Sequence, residues 1–341
     1  MVAAPGSVAT AATATTALRP ESLATAPLAR PTPLAPEAPA RPLPSVLAQP
    51  AQAAARQDSQ LPLLQTLGAL PARMPGFPPQ VVEATRQLLA NRLPLERGAP
   101  TAEALRAAVT RAGIVAAAGQ SAPPGDVKTA LLQLRQGLMG MLEGGAIAAI
   151  APVTRRPPPP LRDAQPRALR AEAPTLPEGA NARETARSLL GQTESALARL
   201  KLTQLASSPP PDASRAAALP PTDFLVELPM MLGSELSLAQ LQVQRDGGNR
   251  TKKSERGWRV RFAVSFSAIG EVGAQVSLLG GTTNVVIWAE SEATADALEE
   301  MLPELGPALG ARGLTVGSVR VRRGIPADAA PATGRLMDTL R

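Results

Sequence analysis

The side chains able to carry proton or acyl chemistry are few in this sequence. It has no Cys, no His and no Tyr, which removes thiolate nucleophiles, disulfides, Cys/His zinc sites, imidazole bases and every triad built on His. What remains is a Ser/Lys dyad, a carboxylate pair or magnesium on carboxylates, and only Lys128, Lys201, Lys252 and Lys253 supply an amine. Asp296, Glu299, Glu300 and Glu304 fall at helical spacing opposite Leu298, Met301 and Leu305, the pattern of a solvated helix face. Gly248 to Ser254 (GNRTKKS) has the lysines and serine of a phosphate-binding loop, but the second glycine is missing and no strand leads straight into a helix there. The sequence therefore predicts no enzyme, no catalytic residue, no metal site and no cofactor.

Charge and aromatics leave a binding reading open. The net charge is +7, and the one dense basic patch runs from Arg245 to Arg261, where Arg245, Arg250, Lys252, Lys253, Arg256, Arg259 and Arg261 face only Asp246 and Glu255. Its plain reading is an exposed hairpin loop. Trp258 and Trp288 beside it are of the kind that stacks on bases, yet strand alternation points both inward, as core residues. An Arg-rich protein that binds single-stranded nucleic acid through this loop and Trp258 is the alternative to a protein-binding role.

The elements that would position these residues come in two materials. Of 37 prolines and six aromatics, most prolines precede residue 223, and every aromatic except Phe77 follows it. Residues 1–75 repeat Ala, Pro, Thr and Leu without periodicity and are expected to be a disordered segment. Residues 76–145 carry apolar residues at three and four spacing, which predicts three amphipathic helices around Val81 to Leu89, Leu105 to Ala112 and Leu131 to Leu142. Pro78 and Pro79 open the first, Thr101 and Asp126 cap the next two, and Gly144 with Gly145 closes the last. Residues 146–222 return to a Pro-rich linker, extended and exposed, with a helical interlude from Glu184 to Leu200. No stretch reaches the roughly 18 apolar residues of a membrane span. Met1 to Pro20 lacks the charged start and Leu-rich core of a cleaved secretory signal. A soluble chain without stable membrane insertion is expected.

Residues 223–325 show strand periodicity. Trp258, Val260, Phe262, Val264 and Phe266 alternate with polar or small residues, as do Val272, Ala274, Val276 and Leu278. Gly280 and Gly281 supply a turn, and Val285 to Ala289 forms a third strand. An earlier strand is predicted over Leu236 to Gln244, its apolar phase slipping between Leu238 and Leu241 as a bulge would require. A helix capped by Ser291 follows, with a kink expected near Pro303. The last strand is Val316 to Arg322, with Val319 and Val321 inward, and residues 326–341 read as a disordered tail. The fold class is α+β: a small C-terminal domain of antiparallel strands covered by one helix, preceded by a largely disordered region with a small helical module.

The run RFAVSFSAIGEVGAQVSLL from Arg261 and NVVIWAESEATADALEEMLPELGPALGARGLTVGSVRVR from Asn284 resembles the C-terminal domain of flagellar hook-length control proteins (FliK type). The family's features in order are a Leu-Gly pair, an alternating strand, a second strand, a helix with a central Leu-Pro, and Gly-Leu before a last strand. They correspond to Ile269 and Gly270, Val272 to Leu278, Val285 to Ala289, Leu302 and Pro303, and Gly313 and Leu314. Where many members carry a proline and acidic residues ahead of the pair, this chain has Phe266, Ser267 and Ala268. The long Pro/Ala-rich region before the domain agrees with the family.

The resemblance implies a ruler for the flagellar hook, cytoplasmic and then exported through the flagellar type III apparatus. Its C-terminal domain, residues 223–325, would switch the export gate from hook to filament substrates. It implies contacts with the cytoplasmic domain of the export-gate membrane protein, and with hook and hook-cap proteins during export, by a monomer that binds no nucleic acid. Ile269, Gly270 and Glu271 are the expected partner-binding residues, an apolar residue beside Gly at an exposed strand entrance. A leader of 222 residues spans at most about 700 to 800 Å at 3.3 to 3.6 Å per residue. A needle-length regulator of a virulence type III secretion system shares the logic and is a further alternative.

Overall fold

The computed structural model describes residues 45–71, 74–95, 98, 100–114, 125–142, 157–162, 164–170, 180–208, 223–246 and 257–326. The expectations for residues 1–44, for GNRTKKS, for Gly144 with Gly145 and for most of the tail fall outside these residues.

In chain order the elements are α1 (Ser45–Arg56), α2 (Leu61–Ala69), α3 (Pro79–Ala90), β1 (Leu93–Pro94), α4 (Ala102–Arg111), α5 (Val127–Leu142), β2 (Leu169–Arg170) and α6 (Ala182–Ser207). They continue with β3 (Phe224–Leu232), β4 (Glu235–Asp246), β5 (Gly257–Phe266), β6 (Gly270–Leu279), β7 (Thr282–Ala289), α7 (Glu292–Gly310) and β8 (Thr315–Arg323).

Helix starts follow local chemistry. Pro79 sits in the first turn of α3, where its missing N–H removes no intrahelical bond. The Thr101 hydroxyl accepts from the Ala104 N–H at 3.1 Å, and Asp126 Oδ1 accepts from the Thr129 N–H at 3.2 Å. The helices α3, α4 and α5 are the three that the periodicity predicts.

Two parts of the chain differ from expectation. Residues 45–69, inside the segment expected to be disordered, form α1 and α2, and Leu61, Leu63, Leu64 and Leu67 are buried. Those leucines follow no clean helical period, so their burial rests on partners elsewhere, chiefly α3 and α6. Within 146–222, expected to be extended and exposed apart from a helical interlude at Glu184 to Leu200, that helix is α6, which is longer than expected at 26 residues and packs into the core. It opens with a capping box, in which Asn181 accepts from the Glu184 N–H at 2.9 Å and Glu184 accepts from the Asn181 N–H at 3.1 Å. Ala186, Leu189, Leu190, Ala196 and Leu200 form its buried stripe.

The sheet runs β1-β3-β4-β5-β6-β7-β8, with β2 pairing β4 off that path. From β3 to β7 every pair is antiparallel, and two-residue turns at Gly233–Ser234 and Gly280–Gly281 join β3 to β4 and β6 to β7. Both residues of the second turn have positive φ, +58° and +78°, which is why two glycines stand there. The α+β class stands, with β8 parallel to β7 because the α7 crossover returns the chain to the end from which β7 started. α7 runs on through Pro303 and a second proline, Pro307.

The phase slip in β4 is not a bulge, since β3 and β4 pair residue for residue from Phe224↔Val243 to Leu232↔Glu235. Leu236 and Leu238 lie on one face, which stays buried through Gln240 and Gln242, and Leu241 with Val243 lie half-buried on the other. The irregularity falls instead between β7 and β8, at Thr283/Val285. There the Asn284 side chain accepts from the Ser318 N–H at 3.0 Å and from its hydroxyl at 2.8 Å.

One hydrophobic cluster joins Leu61, Val81, Leu131, Leu138 and Leu189 of the helices to Val226, Leu228, Leu236 and Leu238 of the first two long strands. β3 is buried without a break from Leu225 to Pro229, so both of its faces are covered. A buried ion pair fixes α6 on it. Arg199 Nε donates to both oxygens of Glu227 at 2.8 and 3.0 Å, and its Nη1 reaches Gln57 Oε1 at 2.6 Å. Gln240 Nε2 donates to the same carboxylate at 2.9 Å.

Candidate partner-docking site

The three expected contact residues sit at the β5–β6 turn. Phe266 pairs with Gly270 across it, and the Ile269 N–H closes it onto the Phe266 carbonyl at 3.2 Å. Gly270 has φ +73°, and a Cβ there would lie 3.3 Å from Glu290 Oε2, so backbone conformation and close approach both call for glycine. Carboxylates hold the turn from either side. Glu235 accepts from the Ser267 N–H at 2.6 Å and from its hydroxyl at 2.7 Å. Glu290 Oε2 accepts from the Glu271 N–H at 3.0 Å, while the Thr294 hydroxyl donates to the Ile269 carbonyl at 2.8 Å.

The turn is thus rigid, and it is less open than the sequence suggests. Ser267 and Ala268 at the apex are exposed, whereas Ile269 and Gly270 are half-buried and the Glu271 side chain is only 12% exposed. The cover is the segment 164–170. The Arg167 guanidinium lies 3.8 Å from Glu271, and that of Arg170 lies 3.8 Å from Glu290. Burial pushes the Glu271 carboxyl above its ordinary pKa, against the pull of Arg167 and of the Ala168 backbone N–H. Its Oε1 is buried without a hydrogen bond.

Residues 157–162 and 164–170 form a strap across the polar face of the sheet. Arg162 offers its carbonyl to the amides of Gln242 and Gln244. The Arg167 N–H donates to Gln240 Oε1 at 3.0 Å, and Arg170 Nε to Ser265 Oγ at 2.6 Å. Leu169 and Arg170 then add antiparallel to Leu238 and Ser237 of β4. At its other end the strap is tied to the helices, since Arg199 donates to the Pro158 carbonyl at 3.1 Å and Arg162 Nε to the Ala206 carbonyl at 3.1 Å. Sequence reasoning missed Arg167, Arg170, Glu235 and Glu290. No local pattern marks them, because each acts on residues 19 to 120 positions away.

The other candidates separate. Trp288 is buried at 3% exposure, its indole lying where a Cβ on Gly273 would come within 2.4 Å. Trp258 points to the opposite face at the end of β5 and is 40% exposed, with Arg245 5.6 Å above its ring. The expectation that both tryptophans are core residues fails for Trp258, because among the described residues no helix covers that corner of the sheet. The described members of the basic patch are divided between the two faces, and Arg261 is bonded to Gln275 at 2.9 Å. On α7, Asp296 and Glu299 meet Arg323 of β8 at 2.7 and 3.8 Å and stay exposed, a solvated face as the spacing predicts.

Among the described residues, no helix is long and apolar enough to cross a membrane, and no group of carboxylates is arranged to hold a metal ion. No curated protein and no solved structure matches the chain. Residues 235–330 match the family model described as flagellar hook-length control protein FliK. That span runs from β4 through β8 and contains Glu235, the Ile269–Glu271 turn and Glu290. This part of the chain is thus similar to the domain of flagellar hook-length control proteins.

Proposed function

We propose that the chain is an exported ruler for the flagellar hook, and that its C-terminal domain switches the flagellar type III export gate from hook to filament substrates. The family match over residues 235–330 carries this reading. The turn Ile269, Gly270 and Glu271 is the contact for the cytoplasmic domain of the export-gate membrane protein. Held by Glu235, Glu290 and Thr294, it meets a partner without first having to be ordered. The chain acts as a monomer without catalysis, starts in the cytoplasm, and passes hook and hook-cap proteins on its way out.

Deleting the gene tests the function. Overlong hooks without filaments are expected in electron micrographs, and hooks of normal length would overturn the reading. Ala268→Asp tests the contact, since Ala268 is exposed at the apex and the change leaves the backbone unstrained. Longer hooks on a normally folded chain are expected, whereas unchanged hooks remove the turn from the interface. Gly270 is the poorer choice, because any side chain at φ +73° strains the turn itself. Exposed Trp258 leaves single-stranded nucleic acid as a second reading. Oligonucleotide binding that falls steeply with added salt would favour it.

A further inference from the structure

The ladder between β4 and β5 runs only from Asp246↔Gly257 to Gln240↔Ala263. Beyond it the strands part, and the edge of β4 at Ser237 and Leu238 is open to a third strand. Residues 169–170 of the strap take that place. They fit it incompletely. The strand is two residues long, and each arginine pairs with its carboxylate at 3.8 Å, within ion-pair reach but beyond hydrogen-bond distance. Glu271 Oε1 remains buried without a hydrogen bond. A buried acceptor left unmade costs free energy that a better-placed donor recovers. The groove is therefore shaped for an extended segment with two guanidinium groups, and its present occupant leaves part of that interaction unformed.

We propose that the groove beneath residues 164–170 is a docking site for an extended, arginine-bearing segment of the partner, which adds antiparallel to β4, and that the strap is its intramolecular competitor. The partner presents two arginines three residues apart, as Arg167 and Arg170 do, with an apolar residue between them in the place of Leu169. Strand addition supplies the affinity, and the two carboxylates set the register. Glu290 also holds the 269–271 turn through the Glu271 N–H, and Glu271 is part of that turn, so exchange of the occupant is felt at the contact proposed above. The inference rests on that reading for who the partner is, and on the strap contacts for the chemistry of the groove.

A fluorescent peptide with the sequence of residues 163–171 (DAQPRALRA) is the probe, titrated against the full chain. The double variant Arg167→Ala/Arg170→Ala, whose strap no longer competes well, is expected to bind it about tenfold more tightly than the natural chain. Adding Glu271→Gln and Glu290→Gln is expected to remove most of that gain. Single variants R167A and R170A give intermediate affinities and keep the test usable if the double variant folds poorly. Equal binding by natural and strap-weakened chains, no binding by either, or indifference to the two glutamates would each overturn the proposal. A deletion strain with normal hooks would instead sink the flagellar reading and leave the peptide result untouched.

Discussion

Gly273 faces Trp288 across the β6–β7 pair, and the indole occupies the space that any side chain at position 273 would need. Gly273→Ala forces the ring out of a buried site, and overpacking of this kind costs about 1 to 3 kcal/mol. Urea unfolding followed by tryptophan emission, in a Trp258→Phe background so that only Trp288 reports, should show the loss. Glu271 has a pH signature. Its folded pKa is raised by burial, so the folded chain holds that proton more tightly than the unfolded chain. Its contribution is therefore most favourable at and below the ordinary carboxylate pKa, and declines as pH rises through the folded value. Glu271→Gln removes this decline. The variant should gain stability relative to the natural chain between acid and neutral pH, read from denaturant midpoints at each pH; a flat difference would mean that Arg167 cancels the burial. Gly273 is visible in the sequence as a small residue in an alternating strand, but nothing local says that a ring lies across it.

At the scale of elements, α6 and β3 are held by Arg199 and Glu227, whose side chains are 2% and 5% exposed. Arg199→Met leaves a buried carboxylate with only Gln240 beside it, and such a loss costs about 3 to 5 kcal/mol. The double change Arg199→Met/Glu227→Leu should recover most of it in a thermal or urea denaturation series. This pairing was not legible beforehand. Glu227 and Pro229 interrupt what would otherwise read as an apolar strand, so FLVELPMML has neither the alternation of a half-buried strand nor a turn signal. The strand exists because β4 pairs with it along its whole length and α6 supplies the one cation that makes Glu227 tolerable there. By contrast the existence of β5, β6, β8 and α7 was legible from alternation, turns and a cap, although the buried positions differ: on β5 they include Ala263, Ser265 and Phe266 rather than Val260 and Val264, and on α7 only Ala295.

At the scale of the whole molecule, the helices and the first long strands share one core, in which Leu131, Leu189, Val226 and Leu238 are all buried. Cutting the chain at residue 223 should therefore expose the apolar faces of β3 and β4. The fragment 223–341 is expected to bind a hydrophobic dye and to unfold at a lower urea concentration than the full chain. Equal midpoints would mean that the sheet stands without the helices. Export through a narrow channel, as proposed above, would require this core to come apart. The absence of cysteine means that no disulfide has to be broken first.

Composition and spacing alone determined that His- and Cys-based catalysis is closed to this chain, that three helices lie between residues 76 and 145, and that alternating strands and one helix follow residue 257. These are properties of a residue and its near neighbours: side-chain chemistry, caps, turns and the period of burial. Only the tertiary structure decided that α1 and α2 form, that α6 extends beyond Glu184 to Leu200 and is buried, that Trp258 lies open while Trp288 is covered, and that Arg167 and Arg170 lie over the Ile269–Glu271 turn. Those outcomes depend on which distant surfaces meet. A strap that is too polar and proline-rich to form a helix stays in place through side-chain amides and carboxylates that β4, β5 and β6 bring together.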